Sequence, residues 1–390
     1  MSQKRFPMLT NHDLIQLTKF RRELHQYPEL SGNEQKTSKK IINVLMEMYP
    51  TEIINEMGGY GLAAIFDSKI EGPTLLFRAE LDALPIQEKN NLPWASKTPG
   101  VSHVCGHDGH MTMLLALSKE IYRNPIKCGK VVLMFQPSEE DGRGAKAVVS
   151  DPRYENIKPD LAFAIHIEPG RPFGHVSTSP GLINCPSIGL KIILNGKTAH
   201  AADPNDGISP TDAVAELIPK ISKLNYGDEL DNNFRLATIT HVEIGEASFG
   251  IAPGDGKIFV TIRTANDKNL SQLEDEIRTL VSKITSKFKL KFKFEVSDHF
   301  SASINNIEAY NIATNAMEAL GIPYGNIGVP MRASEDFGVF GLKSKAAMLC
   351  LGPGEDYPAL HNPDYDFDDN LIPIGCSIFE RIVRDLLGTA

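Results

Sequence analysis

Cys105 and His107 stand two residues apart inside the stretch HVCGHDGH, residues 103–110. A thiolate and an imidazole at that spacing can reach one metal ion, and the pair is a zinc-type donor set. Four His or Cys side chains in so short a stretch favour a metal role over solvated loop histidines. Further metal-capable or acidic residues fall just past, or at the end of, short apolar runs. Glu80 and Asp82 follow TLLF (74–77), and Glu139 and Glu140 follow VVLMF (131–135). His166 ends LAFAIHI (161–167), and His361 follows AMLCLG (347–352). The adjacent carboxylates Glu139 and Glu140 invite a division of labour, one binding metal while its neighbour takes a proton from water. Asp82 can accept a hydrogen bond from a metal-bound histidine and so fix its ring. Its alternative is a cap ahead of Ala83-Leu84-Pro85.

These residues need a scaffold. The four apolar runs read as buried strands of a parallel sheet. Helical spacing recurs at Leu14, Leu17 and Leu24, from about Glu34 to Met48, and in MTMLLALSKEIYR (111–123). The expected fold is α/β, built on a mostly parallel sheet. Ligands bind beyond the carboxyl ends of such strands, so the strand ends and the CGH loop should converge on one place. Residues 187–298 have a different rhythm: strand, helix, strand, strand, helix, strand. That is the ferredoxin-like order. The expected organisation is a catalytic domain of residues 1–186 and 299–390, interrupted by an inserted α+β domain at 187–298.

The length of 390 residues also suggests two domains, and the composition (42% hydrophobic, 23% charged) is that of a soluble globular protein. A net charge of −9 argues against general affinity for nucleic acid. No apolar core follows the basic residues of MSQKRFPMLTNHD, and no run approaches the length of a membrane span. A cytoplasmic location without signal peptide or membrane association is therefore expected. The five cysteines (105, 128, 185, 350 and 376) are odd in number and widely spaced, which argues against a disulfide framework.

The chain resembles the dinuclear metallopeptidase superfamily of aminoacylases and glutamate carboxypeptidases. Within it, the chain is most similar to the amidohydrolases that include hippurate hydrolase, auxin-conjugate hydrolases and N-acetyldiaminopimelate deacetylase. The motifs, in family order, are RRELHQYPELSGNE, RAELDALPIQE, HVCGHDGHMTMLL, FQPSEE, AIHIEPG, GKTAHAADPNDGISP, VTIRT, SEDF and LHNPDYDFDD. The resemblance implies that Cys105, His107, Glu140, His166 and His361 hold two divalent metal ions, with Cys105 shared. It implies Glu139 as general base and Asp82 as the carboxylate behind the ligands. The inserted domain would serve as lid and dimerisation domain of a homodimer. From it, His200 would stabilise the oxyanion in a partner's site, and Arg263 would hold a substrate carboxylate. Without the resemblance, His200 reads as a turn histidine and Arg263 as a strand-edge charge.

The implied activity is hydrolysis of an N-acyl amino acid or a similar small amide with a free carboxylate. Activated water would attack the carbonyl, and Glu139 would pass its proton to the leaving amine. Zinc suits thiolate and imidazole, with manganese, cobalt or nickel as other occupants. The alternatives are a dipeptidase or carboxypeptidase of the same superfamily, or an inactive metal- or ligand-binding paralogue. A binder has no need of a base such as Glu139. A zinc nucleobase deaminase is excluded, because the chain has no P-C-x-x-C to complete the H-x-E and P-C-x-x-C pair. Two positions depart from the family pattern. Glu80 stands where Asp is usual, and Gly250 in SFGIAPG stands where Asn is frequent.

Overall fold

The computed structural model describes residues 9–227 and 230–390. The chain divides into two compact units. One comprises Met1–Ile183, Ser303–Val329 and Asp336–Ala390; the other comprises Asn184–Ala302 and Pro330–Glu335.

The first unit is built on an eight-stranded sheet. Its central strands, Lys130–Gln136, Thr74–Glu80, Leu161–Ile167 and Lys345–Leu351, lie side by side and run parallel. Nearly every residue of these four strands is buried. Burial on both faces is the reason they read in sequence as unbroken apolar runs rather than alternating ones. Gly61–Asp67 and Glu52–Met57 extend the sheet in antiparallel fashion. In the core, Phe77 stacks on Phe163 with ring centroids 5.7 Å apart, and Phe379 of the helix Leu371–Leu387 closes on Phe77 at 4.8 Å.

The helix His107–Arg123 follows directly from the Cys/His loop and is buried along most of its length. Gly106 ahead of it has φ +84°, and a Cβ there would stand 2.9 Å from the Tyr365 hydroxyl. Glycine is needed at this position both for the left-handed backbone and for the close approach.

The second unit is a four-stranded antiparallel sheet. Its spatial order is Arg235–Ile244, Asp255–Thr264, Ser187–Asn195, Lys291–Phe300. Two helices, Thr211–Ser222 and Asp267–Lys287, complete it. Burial alternates along Ser187–Asn195, so Ile188, Leu190, Ile192 and Leu194 face Leu217, Ile221, Leu273 and Ile277. The elements follow the order strand, helix, strand, strand, helix, strand.

Residues 330–335, which sequence order groups with the catalytic domain, fall in this unit instead. Asn184 pairs with Met331, and the Cys185 amide donates to the carbonyls of Met331 and Ala333 at 3.1 and 3.2 Å. That pairing is long-range and leaves no local sequence signature. Among the described residues, no helix is long and apolar enough to cross a membrane.

Candidate metal centre

The carboxyl ends of the central strands bring the donor atoms together. Cys105 Sγ lies 3.5 Å from His166 Nε2 and 3.4 Å from His361 Nε2. His361 Nε2 is 3.8 Å from Glu140 Oε2. His107 Nε2 is 3.9 Å from both Glu139 Oε2 and Glu140 Oε1. Ligands bonded at about 2.0–2.3 Å in tetrahedral geometry stand roughly 3.3–3.8 Å apart, so these spacings suit donors around common ions. Three overlapping sets, Cys105/His107/His166, Cys105/Glu140/His361 and His107/Glu139/Glu140, each keep their donor atoms within 4.8 Å of one another. Cys105 belongs to two of them, which suits a shared ligand.

The ring orientations fit metal binding as well. His107 Nδ1 donates to the Asp82 carbonyl at 2.8 Å, and His166 Nδ1 donates to the Ile167 carbonyl at 2.7 Å. Each bond places the ring proton on Nδ1 and leaves Nε2 as the lone-pair atom facing the cluster. Buried His107 Nε2 has no hydrogen-bond partner among the described residues. Burial, and then the carboxylates of Glu140, Glu139 and Glu80, push the Cys105 thiol well above its ordinary pKa. His107 is shifted up as well: burial opposes this, but Glu80, Glu140 and Asp82 outweigh it. Burial followed by the neighbouring His107 and His166 takes His361 down to about 4, which keeps its ring neutral. Buried Cys105, His107 and His166, with half-buried Glu140 and the more exposed His361, form a carboxylate, thiol and imidazole donor set of the kind that suits a divalent cation.

Asp82 acts differently from the sequence expectation. Its carboxylate Oδ1 is 3.7 Å from His107 Nδ1, beyond hydrogen-bond range, and its backbone carbonyl takes that role. The carboxylate Oδ2 instead accepts from the Ser31 hydroxyl at 2.7 Å and from the Glu140 amide at 3.0 Å. Asp82 therefore contacts His107 through its backbone and the Glu140 amide through its side chain.

The remaining histidines of the cluster stand outside the donor set. His110 Nδ1 bonds Glu80 Oε2 at 2.7 Å, and its Nε2 accepts the Ile167 amide at 3.0 Å, so both nitrogens are used. His103 is buried, and burial takes its pKa down to about 3, keeping it neutral. Glu80 bridges: one oxygen meets His110 and the other pairs with the buried Arg78. Arg78 also reaches Asp336 at 2.7 Å and Gln136 at 2.8 Å.

His200 and Arg263 belong to the second unit. His200 lies exposed on a short ribbon, Ala199–His200 paired with Ile251–Ala252, and its Nδ1 accepts the Ala202 amide at 3.1 Å. Gly250 abuts this ribbon through its carbonyl, which accepts the Ala201 amide at 3.0 Å. A Cβ at Gly250 would meet nothing within 4 Å, so the missing side chain leaves open space beside His200. Arg263 Nη1 donates to the Ser334 hydroxyl at 2.6 Å and the Arg332 carbonyl at 2.9 Å.

Sequence reasoning assigned no role to several residues that brace the centre. Glu34 accepts from the Ser138 amide at 2.8 Å, directly ahead of Glu139. Arg21 and His25 contact Asp108, next to His107. All three lie in RRELHQYPELSGNE (21–34), where Arg21 and His25 stand one turn apart on the helical face that also buries Leu17 and Leu24.

The profile of peptidase family M20/M25/M40 matches residues 76–385. An N-acetyldiaminopimelate deacetylase of Bacillus subtilis is 30% identical over 373 residues, covering 92% of this chain and 95% of its own. The hippurate hydrolase of Campylobacter jejuni is 29% identical over 377 residues, with coverage of 95% and 96%. Among solved structures, a dinuclear metal-binding M20 peptidase of Bacillus subtilis superposes with a TM-score of 0.78 at 26% identity, covering 97% of this chain and 99% of that one.

Proposed function

The chain belongs to peptidase family M20/M25/M40 and is a metal-dependent hydrolase, and from that premise we propose that it cleaves the amide bond of an N-acyl amino acid or similar small conjugate. The observation that carries this reading is the pair Glu139 and Glu140, each with an oxygen 3.9 Å from His107 Nε2. A binding site needs one carboxylate there; a second beside it suits a base. Hippurate and N-acetyldiaminopimelate, the substrates in the relatives' names, are N-acyl amino acids, which favours that substrate class.

Two divalent ions held by Cys105, His107, Glu140, His166 and His361, with zinc favoured by the donors, would polarise the amide carbonyl and make water a stronger acid. Glu139 takes the proton of the attacking water and delivers it to the departing amine nitrogen. Asp82 keeps His107 and Glu140 in register for that transfer. His200 is suited to donate to the developing oxyanion, because the bond from Ala202 to Nδ1 leaves the ring proton on Nε2. It would do so from the partner in a homodimer joined through the second units. Arg263 would hold the substrate carboxylate with guanidinium nitrogens other than the one engaged by Ser334.

Glu139→Gln tests the reading. The amide keeps the shape but cannot take the proton, so turnover should fall by about 10²–10⁴-fold while metal content stays at the wild-type level. Wild-type rates in this variant would sink the assignment.

A further inference from the structure

The turn that carries Glu139 and Glu140 has an unusual backbone. Ser138 lies at φ +51°, a left-handed conformation that costs a residue with a Cβ. The chain folds back tightly behind it: a Cβ on Gly144 would stand 1.6 Å from the Pro137 carbonyl oxygen. The Gly144 amide donates to the Ser138 carbonyl at 2.9 Å, and the Gly142 amide donates to the Glu139 carbonyl at 2.8 Å.

Glu34 meets this turn from the start of the second helix of the chain. It is fully buried and directly precedes the helix Gln35–Met46, to which its side chain makes no capping bond. Its Oε1 instead accepts from the Ser138 amide at 2.8 Å, the Ser138 hydroxyl at 3.3 Å and the Gly32 amide at 2.8 Å. At the other end of the turn, Asp82 Oδ2 accepts the Glu140 amide at 3.0 Å. Glu139 sits between these two anchors.

We propose that Glu34 is a positioning residue: by holding Ser138 in its left-handed conformation, it sets the directions in which Glu139 and Glu140 leave the turn. The proposal rests on the reading of Glu139 as base and Glu140 as ligand. Relaxation of Ser138 to negative φ swings both carboxylates through one backbone change. Loss of Glu34 therefore disturbs the chemical step and the coordination of the metal without deleting a ligand, and leaves substrate affinity nearly intact. Misplacement by about 1 Å can cost about 10²-fold in rate.

The test uses the full-length protein loaded with cobalt(II). Glu34→Ala, Glu34→Asp and Glu34→Gln are made alone and together with Ser138→Gly. Glycine adopts φ +51° without strain and keeps the amide. Cobalt content, the visible absorption bands of the bound cobalt, and kcat and KM for hippurate are measured. Glu34→Ala should bind cobalt with shifted bands and lose about 10²-fold in kcat, with little change in KM. Glu34→Gln keeps an oxygen acceptor and should lose far less. Adding Ser138→Gly to Glu34→Ala should restore the bands and recover about tenfold in kcat, a rescue that a merely structural role for Glu34 does not produce.

If Glu34→Ala does not fold, Glu34→Asp, whose carboxylate is one methylene short, carries the same comparison. Wild-type bands and kcat in the Glu34 variants, or a defect that Ser138→Gly leaves untouched, overturn the proposal. Glu139→Gln measured in parallel separates the two readings. If it is inactive while the Glu34 variants behave as wild type, the positioning role alone fails. If it turns over at the wild-type rate, the base assignment fails, and the cobalt bands still decide whether Glu34 positions Glu140.

Discussion

Cys105 shows how much of the centre depends on the cation. Burial and three carboxylates keep its thiol protonated well above the ordinary range, and a thiol in that state is neither nucleophile nor ligand. Two divalent ions held there would reverse the balance. Cys105→Ala should therefore lower the metal content from close to two per chain, as read by elemental analysis. In the metal-loaded wild type, iodoacetamide should leave this cysteine unmodified; rapid alkylation would contradict ligation. The donor residues are legible in the sequence because each stands at the end of an apolar strand or in the CGH loop. The bracing residues are not. The Asp82 backbone carbonyl that orients His107 has no sequence signature, and neither does the strain at Ser138 that Glu34 offsets. Spacing alone does not separate His107 from His110, whose nitrogens serve Glu80 and the Ile167 amide.

Among the elements, the helix Asn11–Gln26 ties two segments of the centre together. Arg21 reaches Asp108 at 3.3 Å, Asp366 at 2.6 Å and Asp369 at 2.8 Å. Asp108 follows the candidate ligand His107, and the other two lie just beyond His361. His25 places its nitrogens 2.8 Å from Asp108 and 3.3 Å from Glu88, the arrangement of a doubly protonated ring. Burial opposes the charge, yet Asp108 and Glu88 outweigh it and raise the pKa to about 9. A raised histidine stabilises the fold fully below its unfolded value of about 6.5 and loses that contribution as pH climbs through the folded value. The wild type should thus lose on the order of 3 kcal/mol relative to His25→Gln between about pH 6.5 and pH 10. Urea unfolding of both proteins across that range checks it, and parallel curves would show that His25 carries no charge in the fold. The central strands are readable because both faces are buried. Glu52–Met57, at the sheet's edge with only Ile54 and Met57 buried, is not.

At the scale of the whole molecule, the succession of strands and helices in residues 187–298 is legible in the sequence, whereas the recruitment of residues 330–335 is not. The outer strands Arg235–Ile244 and Lys291–Phe300 each pair on one side in this chain, which leaves an edge that a second copy can meet. If His200 serves a partner's site, mixing an inactive Glu139→Gln chain with an inactive His200→Ala chain restores partial activity, since one hybrid site keeps both groups. No recovery in hybrids shown to have formed would assign His200 to its own chain or remove it from the chemistry.

The most direct test of the account is hydrolysis of a panel of N-acyl amino acids and dipeptides by metal-loaded protein, with products identified by mass spectrometry. Release of the free amino acid and the acyl carboxylate from N-acyl amino acids, lost on chelation and restored by adding the metal back, is the predicted result. Protein that carries two metals per chain and cleaves no amide in the panel, or that cleaves equally well after the metal is removed, would contradict it.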